Sequence, residues 1–322
     1  MSTPFAAAVA TACLAAAPLS PCHAQSYPTK PIHVIVAFAP GGPVDVVARL
    51  VGVKLPEILG QPAVVENRPS SSGNLGTQIV AKSQPDGYTI LATSSAFAVN
   101  VTLSPSAGYD AERDFAPIIQ AATQPNVIVV NSAFPAKTLP ALLEMAKTMK
   151  LAYVSPGTGT TPHLTGEHIF KLIAKLDMVH IPHKGAGPAA SAVVAGEPPI
   201  GSLAVTAPLP FLRSGRLRAL AISGAARHPQ LPDVPTFTEL GYPEIQDYTW
   251  VGFFAPAGTP PEIVQKLNDA INRVLRMPDV RERLEALTLE PVGGSSQQFA
   301  DYVRTEVVKW GAVVKQTGAT VD

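Results

Sequence analysis

The sequence contains few charged residues and no excess of either sign. Charged residues make up only 15% of the 322 positions, and 24 Lys and Arg balance 24 Asp and Glu. A neutral chain lacks the basic surface that nucleic acids and anionic membranes attract, so we expect no nucleic-acid partner. Any anion that the protein binds must be held by local geometry.

Cysteine is almost absent. Cys13 and Cys22 both fall within residues 1–24, a segment rich in alanine and without Lys, Arg, Asp or Glu. Its apolar stretch is too short to span a bilayer, and its end resembles a small-x-Ala cleavage site. We interpret residues 1–24 as a secretory signal peptide; the alternative is a disordered tail. A mature chain without cysteine excludes a disulfide framework, thiolate catalysis and a Cys-ligated metal.

Long apolar runs and common catalytic motifs are also missing. After residue 24 no stretch reaches ~18 uninterrupted apolar residues, so we expect no membrane insertion of the mature chain. The sequence has no G-x-S-x-G elbow, no H-E-x-x-H zinc motif and no Walker P-loop. We therefore expect no enzymatic activity, no cofactor and no metal site.

The sequence does contain short apolar segments that alternate with segments of helical spacing. The segments predicted as strands are 32–38, 63–66, 89–93, 126–130, 151–154, 179–182, 217–223 and 250–255. The segments predicted as helices are 44–59, 75–82, 139–150, 164–176, 188–195, 261–276 and 296–315. This alternation predicts an α/β fold with mostly parallel sheets that helices cover on both faces.

The length is sufficient for two lobes, each with its own sheet. We expect the chain to cross between them near residues 126–130 and 250–254. Residues 27–128 and 250–322 would then form lobe 1, and residues 129–249 would form lobe 2.

One local pattern occurs three times: a strand, a glycine-rich turn, a proline and a helix. The turns span residues 39–43, 156–162 and 183–188. Glycine allows close approach of the backbone to a ligand, proline suits the first helical position, and the helix start offers unpaired N–H groups. Because such turns lie at the carboxyl ends of strands, we expect them to converge on one anion. The alternative for each turn alone is an ordinary strand–helix connection.

The candidate ligand-binding residues come from these turns and from the end of one strand. They are Pro40, Gly41, Gly42, Pro43, Val44, Asp45, Thr93, Ser94, Ser155, Gly157, Thr158, Gly159, Thr160, His163, His183, Lys184 and Gly185. Asp45 either complements a helix dipole or receives a ligand ammonium or hydroxyl. His163 either contacts the ligand or caps its own helix, and Lys184 either pairs with an anion or is solvated. Thr93 and Ser94 are either hydroxyl donors or ordinary loop residues.

Ordered motifs run along almost the whole chain after residue 24. They include FAPGG at 38–42, ENRP at 66–69, PDGYT at 85–89, YVSPG at 153–157, LPDVPT at 231–236 and APAGTP at 255–260. In this order they resemble the Bug-type substrate-binding proteins of tripartite tricarboxylate transporters. The resemblance implies a two-domain periplasmic binding fold, type II-like, that closes on its ligand like a Venus flytrap. It also implies that backbone amides and ordered water hold a ligand carboxylate.

We therefore predict a periplasmic solute-binding receptor that captures a small carboxylate-bearing molecule and delivers it to integral-membrane transporter components. We expect a monomer. The alternative is a periplasmic sensor that reports the ligand to a signalling receptor. Val44 stands where the family usually has a hydroxyl residue, and His183 where it usually has tyrosine. Both positions belong to the predicted site, so the identity of the ligand is not carried over.

Overall fold

The computed structural model describes residues 27–104 and 107–319, and the predicted signal peptide, residues 1–24, lies outside them. Buried apolar segments form most of the strands, whereas β2, β6 and β10 are half-buried or exposed. They are β1 (Ile32–Val36), β2 (Ala63–Asn67), β3 (Thr89–Ser94), β4 (Phe115–Asn131), β5 (Ala152–Ser155), β6 (Val179–Pro182), β7 (Ile200–Ala204), β8 (Leu217–Ile222), β9 (Tyr248–Pro256) and β10 (Glu290–Pro291).

Helices follow most of these strands. They are α1 (Pro43–Leu59), α2 (Asn74–Ala81), α3 (Ala96–Leu103), α4 (Leu139–Ala146), α5 (Thr161–Gly166), α6 (Ala186–Ala195), α7 (Leu209–Arg213), α8 (Pro261–Leu275), α9 (Pro278–Ala286) and α10 (Ser296–Thr317). Helix α5 continues as a π-helix over Glu167–Ile173. Proline lies in the first turn of several of them, α1, α5 and α8 among these, where no intrahelical N–H is needed.

The long strand β4 belongs to two sheets. Its first part, up to Pro125, pairs antiparallel with β9, and its last part, from Asn126, pairs antiparallel with β7 and β8. In the first sheet β1 pairs in parallel with β2 and β3, and β3 pairs antiparallel with β9. In the second sheet β5 pairs in parallel with β6 and β7. The predicted two-lobed α/β fold is confirmed, and both sheets are mixed because the strands that link them run antiparallel to their neighbours.

The apolar core is likewise divided between the two sheets. Around the first sheet one cluster includes Trp250, Phe253 and Phe254, all fully buried. In the second sheet, successive side chains of β4 alternate between two clusters: Ile128 packs on one face and Val127 on the other. Strand β4 changes from the first sheet to the second between Pro125 and Asn126, three residues before the predicted lobe boundary at 128–129. The exact lobe boundary stays a prediction.

Candidate functional site

The three glycine turns lie where the two lobes face each other. The backbone N–H of Ala39, in the first turn, donates to the carbonyl of Lys184, in the third turn, at 2.9 Å. A Cβ added to Gly187 would lie 2.4 Å from the carbonyl oxygen of Pro40, so the two backbones are in close contact. The second turn approaches lobe 1 as closely at Gly157, where an added Cβ would lie 1.4 Å from the carbonyl oxygen of Ser71. Glycine is therefore required for this approach.

A narrow cavity of about 30 Å³ lies between the turns in this conformation. Its lining comprises Phe38, Gly42, Pro43, Val44, Asp45, Ser94, Pro156, Thr160, Pro162, Ala186, Ala204 and Thr249. Three helices begin at its wall, with N-caps Gly42 (α1), Thr160 (α5) and Gly185 (α6). No side chain caps the first turns of α1 and α6, whereas in α5 the N–H of His163 donates to Oγ1 of Thr160. Uncapped N–H groups and the positive ends of helix dipoles suit an anion.

The structure places part of the predicted set on the cavity wall and the rest around it. The wall residues are Gly42, Pro43, Val44, Asp45, Ser94 and Thr160. The remaining predicted residues build the turns or lie behind them: Pro40, Gly41, Thr93, Ser155, Gly157, Thr158, Gly159, His163, His183, Lys184 and Gly185. In the first turn it is Gly41, with φ +85°, that adopts the left-handed conformation, whereas Gly42 is extended with φ −94°.

Six wall residues were not predicted. Pro156, Pro162 and Ala186 are direct neighbours of predicted residues and lie within the predicted turns, and Phe38 ends the predicted strand before the first turn. Ala204 is the last residue of β7, a strand that was not predicted from the sequence. Thr249 lies one residue before the predicted strand at 250–255. The short segment Leu203–Val205, apolar throughout, was the available signal for Ala204.

Asp45 stabilises the first turn of its own lobe. Its carboxylate accepts hydrogen bonds from Gly41 N–H at 3.1 Å, Arg49 Nε at 2.9 Å and Asn67 Nδ2 at 2.9 Å. Burial opposes ionisation, but these hydrogen bonds and the charge of Arg49 outweigh it and lower the pKa of Asp45. The carboxylate is therefore ionised at neutral pH and fixes Gly41.

We expect Asp45→Asn to lower the free energy of unfolding by about 1.5–3 kcal/mol, because it removes charge-assisted hydrogen bonds to a buried group. Glu66→Gln, on strand β2, is the matched control. Glu66 forms ion pairs with His33 and Arg68 that are partly exposed, so this substitution should change the free energy of unfolding little. Chemical denaturation of both variants measures the difference. Equal stabilities would contradict the role of Asp45 in the turn.

A buried histidine, His163, and a half-buried one, His180, support the second turn from behind. The backbone N–H of Gly159 donates to Nδ1 of His163 at 3.2 Å, and Nε2 of His180 lies 2.7 Å from Oγ of Ser155. The two imidazole rings stack with centroids 4.0 Å apart. Burial lowers the pKa of His163 to about 4 and that of His180 to about 3. His163 is thus neutral and shapes the turn, and it is not among the residues that line the cavity.

Lys184 contributes its backbone to the interface between the lobes. Its carbonyl accepts the N–H of Ala39, while its side chain is exposed and is not part of the cavity wall. His183 is half-buried next to the second turn, where its N–H donates to the carbonyl of Ser155 at 3.0 Å. Among the described residues that line the cavity, none is Lys, Arg or His.

Further contacts hold the lobes together beside the cavity. Leu164 of lobe 2 is fully buried against Val99, Leu103, Trp310 and Val314 of lobe 1. Next to this apolar cluster, Oγ of Ser95 and Oγ1 of Thr161 lie 3.0 Å apart, within hydrogen-bond distance. The described conformation therefore has the two lobes in contact around the three turns.

Neither a metal centre nor a membrane span is found in the part of the chain that the structure describes. Within residues 27–104 and 107–319, no group of three or more His, Cys, Asp or Glu side chains has the arrangement to hold a metal ion. In the same ranges, no helix combines the length and apolar character needed to cross a bilayer.

Comparison with known sequences places most of the chain in one family. Residues 47–319 match the family described as "Tripartite tricarboxylate transporter family receptor", TctC. The chain is 38% identical to Protein BugT of Bordetella pertussis over 315 residues, which cover 97% of this chain and 95% of BugT.

Comparison with solved structures leads to the same family. The periplasmic binding protein BugD superposes with a TM-score of 0.88 at 31% identity, over 91% of this chain and 99% of BugD. MatC from Rhodopseudomonas palustris, solved with bound malate, superposes with a TM-score of 0.86 at 33% identity, over 89% of this chain and all of MatC. Sequence and structure thus agree over nearly the full length of these relatives, and the chain belongs to the TctC family of periplasmic solute-binding receptors.

Proposed function

We propose that the protein binds a small carboxylate in the cavity between its lobes and delivers it to the membrane components of a tripartite tricarboxylate-type transporter. It acts as a binding protein without catalytic activity. The observation that carries the proposal is the meeting of three helix N-termini around one cavity, with Gly42, Thr160 and Gly185 as the N-caps. Oriented N–H groups provide the attraction that the neutral chain lacks elsewhere.

The mature receptor works in the periplasm as a monomer. Its two lobes, residues 27–128 with 250–322 and residues 129–249, open and close about β4 and β9 to admit and hold the ligand. Delivery to a transporter is favoured over signalling because the matched family is described as transporter receptors.

Native mass spectrometry of protein prepared from the periplasm tests this function. We expect a copurified small carboxylic acid in 1:1 complex with a monomer whose N-terminus lies near Gln25. An intact Met1 in cytosolic protein would contradict export. Absence of any bound acid, together with no calorimetric response to a broad panel of carboxylates, would contradict the binding function.

The exposed side chain of Lys184 should matter little for affinity. We expect Lys184→Ala to change the Kd of the copurified acid by less than ~3-fold, because the amine is exposed and the backbone carbonyl makes the contact between the lobes. Isothermal titration calorimetry measures the change. A loss of ~30-fold or more would assign the ligand charge to Lys184 and contradict the dominance of the helix N-termini.

A further inference from the structure

Asp247 is a buried acidic residue at the point where the chain crosses between the two sheets. It directly precedes β9, and only 6% of its surface is exposed. Its backbone carbonyl accepts a hydrogen bond from Oγ of Ser223, which follows β8. Among the described residues, no Lys, Arg or His forms an ion pair with its carboxyl group. An anion buried in this way without a counter-charge is strongly unfavourable.

The charged and titratable side chains that face Asp247 do not supply this counter-charge. They are Glu306 and Lys309 from α10 and His168 from the π-helix. The carboxylate of Glu306 accepts two indole N–H groups, at 3.0 and 2.8 Å, and Nζ of Lys309 lies 3.9 Å from its other oxygen. Lys309 therefore pairs with Glu306. Burial raises the pKa of Asp247 and the charge of Glu306 acts in the same direction, while Lys309 and His168 oppose this shift without outweighing it.

The hydroxyl group of Thr165, on α5, connects Asp247 to the neighbouring strand β4. Its Oγ1 lies 3.0 Å from Nδ2 of Asn126, 2.9 Å from the carbonyl oxygen of Thr161 and 3.3 Å from Oδ2 of Asp247. The amide nitrogen can only donate and the carbonyl can only accept. Thr165 has a single hydroxyl proton, and the closer acceptor is the carbonyl one helical turn back, a common partner of threonine in helices. The remaining contact is then a hydrogen bond only if the carboxyl group of Asp247 carries a proton and donates it.

The same hydrogen-bond chain continues from Asn126 to the cavity wall. Oδ1 of Asn126 accepts the hydroxyl proton of Thr249, a wall residue, at 2.7 Å. Because Thr249 donates to Asn126, Thr161 must donate to Thr249 at 2.7 Å, and Ser95 must donate to Thr161 at 3.0 Å. Thr161 is the first residue of α5. The chain from Asp247 to Ser95 thus holds the start of α5 against β4, β9 and the N-terminus of α3.

We propose that Asp247 is a neutral carboxylic acid that donates its proton to Thr165 and thereby positions the start of α5 at the cavity. Resting on the proposed receptor function, this role makes retention of the bound acid depend on pH. When Asp247 loses its proton to solvent, its carboxylate competes with the carbonyl of Thr161 for the hydroxyl of Thr165. The first turn of α5, which places Thr160 and Pro162 on the cavity wall, is then held less firmly. The protonated receptor therefore retains its ligand better.

Infrared spectroscopy of the mature protein tests for the proton directly. At about pH 5.5 exposed carboxyl groups are ionised, so a buried neutral acid stands out by the C=O stretch of a protonated carboxyl group. We expect this band in the parent and its loss in Asp247→Asn, whose side-chain amide can still donate to Thr165. Asp233→Asn, at an exposed position, is the control and should leave the band unchanged. A parent spectrum without the band, or a band that Asp247→Asn retains, overturns the proposal.

Native mass spectrometry tests the effect on binding, as the fraction of protein that keeps its copurified acid after washing at about pH 5.5 or about pH 8.5. We expect the parent and Asp233→Asn to lose the acid ~5-fold or more faster at the higher pH. Asp247→Asn should lose it equally slowly at both, because its amide donates without titrating. Equal retention by the parent at both pH values, or an undiminished pH dependence in Asp247→Asn, overturns the positioning role. If no acid copurifies with the parent, the receptor function fails, whereas the infrared band still decides whether Asp247 is neutral.

Discussion

Gly157→Ala is expected to abolish measurable ligand binding while both lobes stay folded. Gly157 has φ +150°, and a Cβ at this position would lie 1.4 Å from the carbonyl oxygen of Ser71 on the opposite lobe. A backbone carbonyl cannot move aside as the end of a side chain can, so the lobes cannot reach the closed arrangement. Because affinity falls with the fraction of molecules able to close, we expect a loss of ~100-fold or more in Kd by calorimetry.

The matched control is Gly215→Ala, also in lobe 2 and also at positive φ, +70°. A Cβ there meets no atom within 4 Å, so the variant introduces backbone strain without a clash between the lobes. We expect it to bind ligand like the parent. If Gly157→Ala binds normally, the close approach of the second turn to Ser71 is not part of the ligand-bound state.

The free energy of unfolding should fall steeply as the pH decreases from about 6.5 towards about 4. The folded state holds His163 with a pKa of about 4, against 6.5 for an unperturbed histidine, because burial disfavours its charged form. Burial lowers the pKa of His180 as well, to about 3. Between these pH values the unfolded chain therefore binds more protons than the folded chain. The stability that the two neutral histidines contribute is fully present above pH 6.5 and is lost progressively as the pH falls towards 4.

Each of these histidines contributes a slope of about 1.4 kcal/mol per pH unit where only the unfolded state is protonated. Urea denaturation at a series of pH values measures the slope, and we expect His163→Gln to reduce it. Phe170→Leu, at a buried position packed against Tyr153, has no titratable group and should lower stability equally at every pH. A slope that His163→Gln leaves unchanged would contradict a neutral, buried His163.

The turns were predictable because their signals are local. Glycine, proline and the start of helical spacing stand next to each other at residues 39–43, 156–162 and 183–188, and neighbouring strands bring such turns to one edge of a sheet. Helix boundaries were less predictable. Helix α4 ends at Ala146 and not at residue 150, because the N–H groups of Lys147 and Thr148 bond the carbonyls three residues back and tighten the last turn.

The side chains that face the cavity depend on contacts distant in sequence. Ala204 reaches the wall because β7 pairs with β4, which places it opposite Asn126. His163 faces its own turn because His180, on the neighbouring strand β6, stacks against it. Lys184 lies in a turn without periodicity, so spacing alone could not tell an exposed amine from one that contacts the ligand.

The most direct test is a crystal structure of the mature protein with the acid that copurifies with it. The receptor mechanism predicts the ligand carboxylate between the N-termini of α1 and α6, within ~3 Å of backbone N–H groups after Gly42 and Gly185, directly or through one water. The rest of the ligand should contact Phe38, Val44 and Ala204. A carboxylate bound instead by Lys184, or a ligand outside this cavity, would contradict the mechanism.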